Sequence, residues 1–128
     1  MALKKMKKKG LEWLTKSANN GCIYALHGLG FKYLFGIGVD ENYKEAFRLF
    51  KLAADRGFDD SQYQIGLMFE NGVDVEKDTE EAIKWYAKAA DNGHYESIEK
   101  IKEFANSGYK SAVKALDQID FEEDDEND

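Results

Sequence analysis

Few side chains in this sequence could do acid–base, nucleophilic or metal chemistry. Two histidines, His27 and His94, and one cysteine, Cys22, make up the whole set of imidazoles and thiols. A zinc site needs three or four nitrogen, sulfur or carboxylate ligands at short spacing, and no cysteine pair or His-x-x-x-His stands here. There is no Gly-x-Ser-x-Gly turn, no glycine-rich phosphate loop and no convincing Cys–His pair. His94 follows Gly93 and reads as a solvated turn residue. The acid pairs Asp59-Asp60 and Glu80-Glu81 fall at expected helix starts, where the helix dipole favours them. No catalytic residue, metal or cofactor is therefore expected. A small hydrolase built around His27 is the enzymatic alternative, and it would need a nucleophile or paired carboxylate beside that ring.

Charge narrows the class of partner. The formal net charge is −7, which argues against nucleic acid because phosphate binding needs a basic face. The run Lys4, Lys5, Lys7, Lys8 and Lys9 could mark a nucleic-acid or membrane patch. It reads better as the solvated face of a helix. An acidic surface suits a protein or peptide partner with a basic surface. A single thiol forms no intramolecular disulfide. No apolar run is long enough for a signal peptide or a membrane span. These features predict a cytoplasmic chain, monomeric when free, with an acidic disordered tail over 121–128.

The elements that hold such a surface repeat every 36 positions. Asn20-Gly21, Arg56-Gly57 and Asn92-Gly93 share one phase, as do Trp13, Leu49 and Trp85. Further series are Ala18, Ala54 and Ala90, then Gly36, Gly72 and Gly108, then Leu29, Ile65 and Ile101. Aligning 22–57 with 58–93 gives nine identities, mostly small or turn-forming residues. Such a period identifies stacked units, each too small to bury its own apolar face.

Each unit predicts two helices. The first, about 23–35, carries Leu26, Leu29, Gly30 and Tyr33 at helical spacing. The second, about 43–55, carries Ala46, Leu49, Phe50, Ala53 and Ala54. Asn42 with Glu45, and Asp78 with Glu81, have the spacing of reciprocal capping pairs. Gly57 and Gly93 stand where the chain must leave a helix in a left-handed conformation. Gly30 and Gly66 each cost about 1 kcal/mol inside a helix, and their recurrence predicts close helix approach.

These residues resemble the Sel-1-like repeat family, relatives of the tetratricopeptide repeat. The first unit supplies the pattern as Ala25, Leu29-Gly30, Tyr33, Gly36-Ile37-Gly38-Val39, Ala46, Leu49-Phe50, Ala53-Ala54 and Gly57. The second reads Ser61, Ile65-Gly66, Phe69, Gly72-Val73-Asp74-Val75, Ala82, Trp85-Tyr86, Lys88-Ala89-Ala90 and Gly93. Asp74 replaces a loop glycine, and aspartate tolerates the left-handed region. Lys102 replaces the helix-packing glycine and Ala105 the aromatic in 94–107. The resemblance implies an all-α solenoid of about seven helices. Its parts would be a half repeat over 1–21, repeats over 22–57 and 58–93, and a degenerate repeat with a capping helix over 94–120. Ala112, Val113, Leu116 and Ile119 form the apolar stripe of that cap.

The resemblance further implies first helices lining a concave groove and second helices behind. Residues opposite the packing stripe would then face the groove: Tyr24, His27, Phe31 and Phe35, then Asp60, Tyr63, Leu67 and Asn71, then Glu96, Glu99, Glu103 and Ser107. This face runs from aromatic to acidic. Its aromatic end suits an anchor site, or alternatively packs against the N-terminal half repeat. The expected function is non-enzymatic binding of a protein or peptide, as an adaptor or as an immunity-type protein neutralising a toxin.

Overall fold

The computed structural model describes the backbone of residues 2–126 and the side chains of residues 9–119. Seven helices follow in order: α1 (Ala2–Asn19), α2 (Ile23–Phe35), α3 (Tyr43–Asp55), α4 (Asp59–Asn71), α5 (Thr79–Asp91), α6 (Tyr95–Asn106) and α7 (Lys110–Glu126). No strand occurs among the described residues. Helix α7 continues past the expected boundary at 120. The side chains of 120–128, those of the expected acidic tail among them, lie outside the described residues, as do those of Lys4, Lys5, Lys7 and Lys8.

The ends of the helices follow from local chemistry. Helix α2 stops at Gly36, whose φ of 65° a Cβ would disfavour. The Asn42 amide then donates to Tyr33 O at 2.8 Å, folding the chain back. Asn42 Oδ1 accepts the Glu45 amide at 3.1 Å, and Asp78 Oδ1 accepts the Glu81 amide at 3.0 Å. Only this half of the expected reciprocal cap forms. The Asn42 and Asp78 amides are already used by Tyr33 and Phe69 carbonyls, so Glu45 turns to Arg48 instead. Asp74 takes a φ of 61°, the left-handed conformation expected of it.

Helices α3 and α5 end in Schellman motifs. The Phe58 amide reaches Ala53 O and the Gly57 amide Ala54 O; His94 and Gly93 repeat this with Ala89 and Ala90. Gly57 and Gly93 have φ of 91° and 81° there, as their spacing predicts.

Close approach explains the helical glycines. A Cβ on Gly30 would stand 2.8 Å from Phe50 Cε1, and one on Gly66 would stand 2.5 Å from Tyr86 Cε1. Phe50 and Tyr86 are wholly buried, with Leu49 and Trp85 nearly so. Each such side chain contributes on the order of 1.5–3 kcal/mol by leaving water. Three apolar clusters follow one another along the stack, each shared by several successive helices. Each helix packs on its neighbours in the chain, and α7 also returns to α5. Within the cap, Ala112 and Ile119 are buried and Leu116 half-buried, but Val113 is exposed. Val113 lies one step off the buried stripe and faces away from α5 and α6.

Candidate partner-binding face

The residues proposed to face a partner divide into two sets. Tyr24 is 76 % exposed and Phe35 62 %. Asp60, Asn71, Glu96, Glu103 and Ser107 are also exposed. His27, Phe31, Tyr63, Leu67 and Glu99 are half-buried. The outer positions of each first helix thus reach solvent, while the middle ones fill the seam between units. Phe31 stacks on Phe35 at 5.9 Å and meets Phe50 edge-on at 5.1 Å. His27 does not pack toward the half repeat. It turns toward α4, edge-on to Phe58 at 5.0 Å, with Nδ1 2.7 Å from Ser61 Oγ.

The seam repeats with exchanged chemistry. His27 meets Phe50 and Phe58 at one junction; Tyr63 meets Tyr86 and His94 at the equivalent places of the next. Likewise Tyr24 packs on Phe58, whereas Asp60 Oδ1 bonds His94 Nε2 at 2.9 Å. One junction is aromatic and the next is polar, on one backbone plan.

His94 is a correction to the expected solvated turn. It is buried, caps α6 through Nδ1 accepting the Ser97 amide at 3.3 Å, and lies 2.9 Å from Ser97 Oγ. Because Nδ1 accepts, the ring proton sits on Nε2 and donates to Asp60. Asp60, His94 and Ser97 have the composition of a hydrolase triad. Ser97 is wholly buried, however, and Ser61 beside His27 is too, so neither hydroxyl is presented to a substrate. Burial pushes the His27 ring below its ordinary pKa, with Asp60 and Asp59 opposing. On the other side of α4, Glu70 accepts from the Tyr86 hydroxyl at 2.6 Å and from Lys100 at 3.2 Å. Burial and that bond push the Tyr86 hydroxyl well up.

A further depression lies elsewhere, beside α3. It holds about 500 Å³ and is lined by Phe47, Leu52, Lys44, Arg48, Lys51 and Asp74 among others. Sequence reasoning missed it, since it depends on how the 72–78 loop stands over α3. Among the described residues no group of three His, Cys, Asp or Glu side chains could hold a metal. Among them, too, no helix is long and apolar enough to cross a membrane.

Paired helices of fixed length, joined by glycine turns and stacked in register, define an α/α repeat protein. The Sel1 repeat model matches residues 4–22, 23–58 and 59–94, and the chain belongs to that family. It is similar to a Sel1 repeat protein from Oxalobacter formigenes, with TM-score 0.74 and 28 % identity over 92 % of this chain and 52 % of that one. It also resembles a protective antigen of uropathogenic Escherichia coli with an SLR fold, with TM-score 0.68 and 25 % identity over 94 % of this chain and 33 % of that one. The chain thus spans about half and about a third of the length of these two structures. No curated relative matches it. Sel1 repeats are generally protein–protein interaction modules on a scaffold that is typically non-enzymatic.

Proposed function

We propose that this chain binds a protein or peptide with a basic surface across the face formed by α2, α4 and α6. The observation that carries the reading is the exposure of Tyr24 and Phe35 at the outer positions of α2. Aromatic side chains left in water on a rigid helix are the usual anchors of an interface. Asp60, Glu96 and Glu103 continue the face with negative charge, which speeds encounter with a basic partner. The module acts as a cytoplasmic adaptor or as a neutralising, immunity-type protein. In the second case the captured partner is a toxin whose activity falls on binding.

Affinity capture from the native source supplies the partner, and surface plasmon resonance then tests the face. Phe35→Ala is expected to speed dissociation at a cost of about 2 kcal/mol. The pair Glu96→Gln and Glu103→Gln should slow association and flatten its salt dependence. A second reading comes from the α3 depression, where Leu52 is exposed among Lys44, Arg48 and Lys51. Loss of binding in Leu52→Ala, with Phe35→Ala and the glutamine pair unchanged, would move the site to that back surface.

A further inference from the structure

Several large apolar side chains stand in water, Trp13 at 71 % and Tyr43 at 44 % among them. Phe35 and Tyr43 do so around a single depression of about 380 Å³. Phe35 is the last residue of α2 and Tyr43 the first of α3. The loop between α4 and α5 contributes Val73 and Asp74, and Leu34 and Glu41 also line the space. Leu34 and Val73 are half-buried and pack against the core cluster around Phe50 and Ile65. Backbone bonds fix the walls: the Ile37 amide donates to Lys32 O at 2.9 Å and the Asn42 amide to Tyr33 O at 2.8 Å. The Val73 amide repeats the first of these with Met68 O, also at 2.9 Å. A site held this way is formed before a ligand arrives.

The fold does not demand these side chains. The α4–α5 loop keeps the backbone of the α2–α3 loop, with Gly36 and Gly72 at φ of 65° and 68°. Yet it carries Asn71 and Thr79 in place of the two rings and Lys77 in place of Glu41. Asp74 in turn stands where the first loop has Gly38, and it takes a left-handed φ of 61°. Glycine suits that conformation better, so the turn alone does not call for a carboxylate.

The chemistry of the lining selects its occupant. Hydrogen bonding to the Glu41 carboxylate pushes the Tyr43 hydroxyl above its ordinary pKa, so ring and carboxylate stand side by side. Asp74 brings a second negative charge, and among the described residues no lysine or arginine lines the depression. Aromatic rings attract a cation to their faces, and carboxylates accept its N–H groups. A guanidinium meets both needs, being planar with several donors at its edge, whereas an ammonium is a compact and more strongly hydrated charge. We infer that this depression binds an arginine side chain of a protein or peptide, with Phe35 and Tyr43 flanking the guanidinium and Glu41 and Asp74 accepting from it. This rests on the partner face proposed above, to which Phe35 belongs, and names the residue that enters it.

Titration of the isotope-labelled full chain with Nα-acetyl-arginine amide, followed by amide chemical shifts, tests the site without any partner. Shifts centred on 34–43 and 72–74 should saturate with a dissociation constant on the order of 1 mM, as expected for so small a ligand. The matching lysine amide should bind at least about threefold more weakly, and the uncharged norleucine amide should show no saturation. Asp74→Asn keeps a side chain that tolerates the left-handed turn, and Glu41 is exposed, so Glu41→Gln also leaves the fold intact. Each should weaken arginine binding by about fivefold or more. Asp91→Asn removes the same charge at the end of α5 and should leave that binding unchanged. Equal binding of norleucine would leave only an apolar slot, and equal binding of lysine only a point of negative charge. An equal loss in Asp91→Asn would leave only the net charge. Any of these overturns the inference, as does the lack of saturable shifts in these segments. Failure of the partner face looks different: Phe35→Ala would then leave partner dissociation unchanged although the arginine probe still saturates.

Discussion

The Tyr86 ring stands where Gly66 would carry a side chain, with Cε1 only 2.5 Å from the place of a Cβ. Alanine in a helix is intrinsically better than glycine by about 1 kcal/mol, so propensity and packing oppose each other here. Packing wins, because Tyr86 is wholly buried and its hydroxyl is tied to Glu70. Gly66→Ala should destabilise the chain by about 1–3 kcal/mol through overpacking. Urea unfolding decides the sign, and a stabilised variant would show that Tyr86 can move aside.

Two tryptophans at one repeat position should behave in opposite ways. Trp85→Ala empties a core site and should cost about 3–5 kcal/mol. Trp13→Ala, measured in dilute solution, should stay within about 0.5 kcal/mol of the parent. Thermal melts of the two variants side by side make the comparison. A large loss for Trp13→Ala would place that ring in the core.

The His27 ring titrates against the fold. Burial lowers its pKa below the ordinary 6.5, so the native state prefers the neutral ring. Its contribution is fully present above 6.5 and is lost as pH falls from there through the depressed native value. His27→Gln should remove this part of the pH dependence and flatten the stability profile just below 6.5. Equilibrium unfolding of both proteins across that range reads it, and parallel profiles would assign the acid sensitivity to other groups.

Much of the fold was legible because the repeat constrains backbone and packing together. The helices at 23–35 and 43–55, the glycines beneath Phe50 and Tyr86, and the turns at Gly57 and Gly93 stand where the spacing places them. The misses arise where one position serves different surroundings. His94 looked like a loop residue because it follows a turn glycine, yet it shares its phase with Phe58 and fills the same seam. That phase was the available signal. The candidate face was legible as a set of helix positions. How deep each lies was not, because depth depends on the neighbouring unit: His27 and Phe31 sink into the seam while Tyr24 and Phe35 stay outside.

Helices in this stack touch their chain neighbours, and the return of α7 to α5 spans only one intervening helix. Contacts so close in sequence close small loops at low entropic cost, which places the chain among proteins that fold in microseconds to milliseconds. Formation can begin at any hairpin and spread outward, since no distant segments must first meet. Opening runs the other way. Amide protons in α3, α4 and α5, covered on both sides, should exchange with solvent most slowly, and those in α1 and α7 fastest.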